Sequence, residues 1–449
     1  MRHRFALATQ FGRPACQLHR PQVKRSSSSS QAVLPLNNSP QHATTQIELN
    51  ENAVDEVGVK HRRLIGPRTV VVSTPTDRAE NPHVQRVLAR LRGVGIECGT
   101  FSMLERYPTT QALDEGAQMA KRMGAHSIIG VGGGGALDLA KGMAVLACTG
   151  EGRARDYLRV FHKEKELSDQ RLPVVTVPTT ASAGGGGIGP QCLALYEAEE
   201  ALVPLHARDL APDLAIVDPT LTVTLPLQAE RSMALGAWSV CFDALLCGSV
   251  RGVLANHAMA DLILGGASEL GRGLGMAAGN DKGETKRRHL AQGSVAAGRL
   301  LRLVKAPPIQ SLARCLAPLF PLATYSQLTA VLLRSYLAVL ADRRQQGELG
   351  GEAWNEALLL RMGAATCSAR DGPGANGGGL LEMAEWAWEE SQKAGLRSLL
   401  DYRALDKETK DAETLAGQVM SVLALFEVEG GPALEADVVR DVLEVSLGT

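Results

Sequence analysis

The chain is poor in aromatic residues, 4% of its 449, and has no long uncharged apolar run. Few aromatics leave little surface for base stacking. No Lys/Arg cluster is interleaved with them beyond the extreme N-terminus, so nucleic-acid binding is not expected. Without a run of about 18 apolar residues, a transmembrane helix is not expected either. The eight cysteines are scattered, with no Cys-x-x-Cys pair. That distribution excludes a regular disulfide frame and fits reduced thiols buried in an intracellular compartment. The formal net charge of −1 adds no pull toward polyanions.

What is present is ordinary globular material with 47 glycines, long enough for two domains at about 150 residues each as a soft prior. The first 47 residues contain no Asp or Glu. They carry Arg2, Arg4, Arg13, Arg20, Lys24 and Arg25, then five serines from Ser26 to Ser30. This is the composition of an organelle transit peptide, mitochondrial ahead of plastid, with a solvated tail on a cytoplasmic protein as the plain alternative. Residues 1–50 are therefore set apart from the fold.

From 51 to 226 the pattern alternates strand and helix. Short β-branched runs at Val70–Val72, Ser127–Val131, Val174–Val177 and Leu214–Val217 are separated by helical patterns. Strands spaced by helices imply parallel pairing with helical crossovers. From 227 to 449 strand signals vanish. Ala/Leu-rich helical segments follow at 228–247, 255–275, 284–304, 308–318, 326–345 and 352–367, and continue to the C-terminus. The expected fold class is an α/β N-terminal nucleotide-binding domain with a parallel sheet, followed by an all-α C-terminal domain.

The segment from Ser127 to Lys141, SIIGVGGGGALDLAK, carries the most chemistry. A buried strand runs into four glycines and straight into a helix. Bare backbone N–H groups there can approach a diphosphate closely, and the helix N-terminus favours negative charge. A tight strand-to-helix turn needing positive φ would read the same way. The spacing is neither the Rossmann Gly-x-Gly-x-x-Gly nor a Walker A loop.

Gly132-Gly133-Gly134-Gly135-x-x-Asp138-x-x-Lys141 resembles the Gly-Gly-Gly-Ser-x-x-Asp-x-x-Lys of the iron-containing alcohol dehydrogenase superfamily, with Gly135 in the serine's place. Further motifs fall in the same order. VPTTASAGGG from Val177 resembles the family's Pro-Thr-Thr loop. DLAIVDPTLTVTLP from Asp213 is similar to its interdomain Asp-Pro stretch, and Pro108-Thr109 matches the Pro-Thr after the second strand. Val72-Ser73-Thr74-Pro75 is closest to the maleylacetate reductase branch. The resemblance spans about residues 60–440 and implies the architecture of dehydroquinate synthase and glycerol dehydrogenase, with the active site in an interdomain cleft.

It further implies NAD or NADP as cofactor. Gly132, Gly133 and Gly134 would hold the diphosphate, with Asp138 and Lys141 on the following helix. Thr179 and Thr180 would meet the nicotinamide or its ribose. For Asp138 and Lys141 a solvated helix face is the plain alternative. The family's Gly-Ser-Glu after Pro-Thr-Thr is replaced by Gly184 to Gly187, and no lysine lies between Lys165 and Lys282.

Members bind a divalent ion, iron or zinc, through an Asp and three His. Here Asp243 matches the aspartate, but Cys247, Gln310 and Tyr325 take the three histidine positions. Arg314 replaces the second histidine of the His-x-x-x-His pair. The last of the ten histidines is His289, so none exists to supply the two C-terminal ligands. A metal is therefore doubtful, and Cys247 reads equally as a packed thiol. A fixed cation and a hydroxyl donor can stabilise an oxyanion without an ion, which makes Arg314 and Tyr325 the candidate catalytic pair.

The expectation is an NAD(P)-dependent oxidoreductase acting on a small alcohol/carbonyl pair or an oxoacid, working as a homo-oligomer, a dimer by analogy. The alternative is a catalytically degenerate relative that keeps nucleotide binding or only a scaffold role. A synthase of the dehydroquinate type needs its own metal histidines and is disfavoured by the same census.

Overall fold

The computed structural model describes residues 45–74, 81–103, 105–150, 152–159, 166–167, 170–180, 187–196, 201–207, 210–247, 257–276, 283–304, 307–348, 356–367, 379–402, 411–425 and 436–448. The expected transit segment up to residue 44, Pro75 and Gly184–Gly186 lie outside the described residues. Ala43–Thr449 form one compact unit. The change of pattern at 226 thus separates two kinds of secondary structure inside that unit.

The strands are β1 (Gln46–Leu49), β2 (Arg68–Ser73), β3 (Glu97–Ser102), β4 (Ser127–Gly132), β5 (Val174–Pro178), β6 (Leu193–Tyr196), β7 (Ala201–Pro204) and β8 (Leu214–Val217). Six of them make a parallel sheet in the order β1-β8-β5-β4-β2-β3, and β6 and β7 pair as an antiparallel hairpin. Between the strands run two short helices, α1 (Val57–Lys60) and α2 (Arg62–Ile65), and three crossover helices, α3 (Pro82–Arg92), α4 (Thr110–Met123) and α5 (Gly134–Leu146). β1 is a correction to the sequence reading: the boundary at residue 50 falls inside the sheet. Gln46–Leu49 pair in register with Leu214–Val217. The buried Glu48 of this strand binds Lys60 and His61.

Sheet residues alternate between two cores, as the period of two requires. Val71, Ile129, Val131, Val175 and Val177 pack with Val84, Val87, Leu88 and Leu91 of α3. Val70, Val72, Ile128 and Val174 face a second core shared with α4, α5 and the helical half. α5 is buried at every position from Ala136 to Leu146, and an apolar helix of this kind belongs between layers rather than at the surface.

The second half is helical among the described residues: α6 (Leu227–Cys247), α7 (His257–Gly275), α8 (Glu284–Leu300), α9 (Pro308–Leu316), α10 (Tyr325–Gln345), α11 (Glu356–Cys367), α12 (Leu380–Lys393), α13 (Ala412–Leu425) and α14 (Ala436–Leu447). No described helix is long and apolar enough to cross a membrane. In the main sheet the chain passes from β2 to β3 on one side and returns to β4 on the other. The crevice beyond the C-terminal ends of β2 and β4 is thus a topological switch point, where open α/β sheets bind ligands.

Candidate functional site

One cavity of about 530 Å³ opens at that switch point. Its floor is Thr74 after β2 and Gly133, Gly134 and Gly135 after β4; its far wall is Gln310, Arg314 and Tyr325 of the helical half. The volume lies within the ordinary range for small-molecule and cofactor sites.

The glycine loop sits where the sequence puts it, shifted by one residue. Gly132 ends β4 with φ 146°, a conformation that favours glycine. Gly133 caps α5 with no side-chain acceptor, so the first amides of the helix have no internal partner. A Cβ on Gly134 would meet nothing within 4 Å. A Cβ on Gly135 would lie 2.3 Å from the Arg106 carbonyl oxygen, which is why no serine fits here. The two threonines part company. The Thr179 amide donates to Gly132 O at 3.0 Å and fixes the strand end. Thr180 lines the cavity, its buried hydroxyl without a hydrogen-bond partner among the described residues. Bare amides, an open Gly134 and an unsatisfied Thr180 hydroxyl all fit a dinucleotide.

Asp138 and Lys141 correct the solvated-face reading. The Lys141 side chain is 0% exposed and its ammonium lies 2.7 Å from Asp138 Oδ1. It also donates to Gly189 O at 3.3 Å and to Gln191 O. Asp138 Oδ2 accepts from the Leu193 amide at 3.2 Å. Burial raises the Asp138 carboxyl despite the opposing pull of Lys141. With its three donors engaged, Lys141 has none left for a phosphate. Together the pair pins segment 189–193 against α5.

The far wall is organised by Asp243 on α6. Its Oδ1 and Oδ2 accept from the amides of Ile309 and Gln310 at 2.9 and 3.1 Å. α9 starts with Pro308 and has no cap of its own, so this carboxylate, from 66 residues away in sequence, satisfies two of its exposed amides. Burial outweighs those bonds and pushes the Asp243 carboxyl up to about 7. Gln310 Nε2 donates to Ser239 Oγ at 2.9 Å. Tyr325, first residue of α10 behind a Thr324–Gln327 capping box, donates through Oη to Gln310 O at 3.1 Å. Its phenol is raised by burial, against the pull of Arg314. Arg314 Nη2 donates to Gln191 Oε1 at 2.8 Å, while its buried Nε meets no acceptor among the described residues.

This wall does not fit a divalent ion. Both Asp243 oxygens are on backbone amides. Burial and Asp243 push the Cys247 thiol up, away from the thiolate a metal needs. Gln310 is turned to Ser239 and Tyr325 to a carbonyl. No group of three or more His, Cys, Asp or Glu is placed to hold a metal among the described residues.

Sequence reasoning missed Gln191, Arg106 and Tyr107. Gln191 reaches Arg314 across the cavity. Arg106 donates to Pro321 O at 3.1 Å and to Ala323 O, tying the loop after β3 to the helical half. Tyr107 lines the cavity with a buried Oη that has no partner of good geometry. Pro108-Thr109 marked the neighbourhood, but none of the three had a signal of its own.

The family model for iron-containing alcohol dehydrogenases matches residues 44–219. Long-chain-alcohol dehydrogenase 1 of Geobacillus thermodenitrificans (strain NG80-2) is 28% identical over 316 residues, 70% of this chain and 77% of the relative. 4-Hydroxybutyrate dehydrogenase of Cupriavidus necator is 25% identical over 200 residues, 44% of this chain and 49% of the relative. The chain thus matches about half the length of that second protein. The crystal structure of an archaeal halo-thermophilic Red Sea brine pool alcohol dehydrogenase, ADH/D1 bound to NZQ, superposes with a TM-score of 0.73 at 16% identity, over 90% of this chain and 97% of that one.

Proposed function

From membership of the iron-containing alcohol dehydrogenase superfamily, we propose that this chain is an NAD(P)-dependent oxidoreductase of a small alcohol/carbonyl pair, working without a metal ion. The carrying observation is that the bare N-terminus of α5 and the Arg314–Tyr325 wall border one cavity. A bound nicotinamide supplies or accepts a hydride. Gly133, Gly134 and Gly135 bind the diphosphate through their amides, and Thr180 orients the coenzyme with its hydroxyl. Arg314 places a permanent charge beside the oxygen that turns negative as a carbonyl is reduced. Tyr325 gives up its bond to Gln310 O and donates the proton to that oxygen. Apolar Met233, Val240 and Leu301 line the same wall and keep water sparse around the reacting centre.

The relatives, a long-chain-alcohol and a 4-hydroxybutyrate dehydrogenase, support the reaction class. The segment around Ser73 to Asp77 carries no residue that decides between NAD and NADP.

The test is a fluorescence titration with NADH and NADPH, followed by a carbonyl panel with and without chelator. Micromolar coenzyme binding and chelator-resistant turnover are expected. Arg314→Gln and Tyr325→Phe should each lower kcat by about 100-fold or more, the scale for removing an oxyanion donor or general acid. A protein with no affinity for either coenzyme would be a scaffold relative instead.

A further inference from the structure

Charge and hydrogen-bond accounting around the cavity leaves an imbalance. Four charged side chains line it: Glu105, Arg106, Asp138 and Arg314. Arg106 is bound to the carbonyls of Pro321 and Ala323. Asp138 is neutralised by Lys141 and further bound by the Leu193 amide. Glu105 stands exposed. Arg314 remains, held by the neutral Gln191 amide and lying against the neutral Tyr325 hydroxyl. Asp243, the carboxylate behind it, holds the amides of α9 with both oxygens.

A guanidinium has donors only, so a buried Nε without an acceptor is an unmet cost. The Tyr107 hydroxyl on the same cavity is likewise buried and, with Arg106 beside it, has no hydrogen-bond partner of good geometry among the described residues. Both groups act electrostatically on Tyr325, so the three side chains converge on one end of the cavity. Unused buried donors, one of them on a guanidinium, call for a ligand made of acceptors with negative charge.

We propose that Arg314 and Tyr107 form a carboxylate site, and that the substrates are 2-oxo acids and the matching 2-hydroxy acids. This rests on the oxidoreductase reading above. In a 2-oxo acid the carboxylate and carbonyl oxygens stand on adjacent carbons, so one guanidinium serves both. Nε and Tyr107 Oη take the carboxylate, and the carbonyl oxygen lies toward Tyr325. Reduction adds a hydride from the dihydronicotinamide to the carbonyl carbon and a proton from Tyr325 to its oxygen. The products are the 2-hydroxy acid and the oxidised nicotinamide, and solvent returns the proton to Tyr325.

The experiment uses the full chain. kcat/KM is compared for 2-oxobutyrate, its methyl ester and butanal, and oxamate is titrated by calorimetry with and without NADH, oxamide serving as the neutral control. A preference of about 10- to 100-fold for the acid over both neutral compounds is expected, the range set by one to two charge-assisted hydrogen bonds. Oxamate should bind and oxamide should not. Arg314→Gln and Tyr107→Phe should each raise KM for 2-oxobutyrate by about tenfold or more, with melting temperatures checked to confirm folding. If NADH binds but butanal is reduced as well as 2-oxobutyrate and oxamate gives no heat, the carboxylate site is overturned and the oxidoreductase reading stands. If NADH does not bind, that reading fails. The oxamate titration of the protein alone then decides the carboxylate site, with no binding overturning it.

Discussion

Lys141 sits where no water reaches it, and its position shows what periodicity cannot disclose. Asp138 and Lys141 at i and i+3 look like an exposed ion pair on a helix face. In the fold the whole circumference of α5 is covered, so the pair becomes an internal strut holding segment 189–193, from which Gln191 reaches Arg314. Lys141→Met would leave Asp138 buried with a single amide for company. Breaking a buried pair by removing one partner costs about 3–5 kcal/mol, and denaturant unfolding should read a loss of that size. Asp138→Asn in the same background removes the stranded charge and should recover a substantial part of it. Replacement residues such as Gln310 and Tyr325 were identifiable from the motifs. Tyr107 and Gln191 were not, because their importance lies in what the folded chain brings opposite them.

At the scale of elements, long segments with strong periodicity were legible almost to the residue. The expected helices at 228–247, 284–304 and 326–345 appear as Leu227–Cys247, Glu284–Leu300 and Tyr325–Gln345. Of the strands that escape the periodicity, β1, β3 and β6 have mixed or half-exposed patterns because they sit at sheet edges or outside the main sheet, and β7 is buried but only four residues long. The cap on α9 was also invisible, since its acceptor comes from another helix.

That cap makes a pH prediction. Asp243 has its folded carboxyl raised from 3.8 to about 7, so the folded state binds a proton that the unfolded state releases. Its contribution is fully present below about 3.8, is lost at up to about 1.4 kcal/mol per pH unit between about 3.8 and 7, and is gone once the folded group has ionised. Asp243→Asn keeps one acceptor for the α9 amides and never ionises. Denaturant unfolding at pH 6 and pH 8 should show the stability difference between variant and wild type moving in the variant's favour at pH 8. An unchanged difference would mean that the carboxylate stays ionised throughout.

For the whole molecule, the order of elements and the place of the cavity follow from topology: parallel strands with helical crossovers bring Thr74 and the glycine loop to one crevice, and the helical half closes over it. Less foreseeable was where the fold begins. The lack of acidic residues suggests a compositional boundary at 50, yet the first acid, Glu48, lies inside an edge strand and is buried against Lys60 and His61. A chain starting at Thr45 keeps β1, whereas one starting at Glu51 loses four residues paired with β8, the partly buried Ile47 and Leu49, and the acceptor for His61. Lost ladder bonds of about 1 kcal/mol each and one uncovered apolar edge put the shorter chain on the order of 3–5 kcal/mol below the longer. The two truncations, compared by denaturant midpoint in one buffer, read this directly. Equal midpoints would show that the parallel edge strand contributes nothing and that the compositional boundary at 50 is also the structural one.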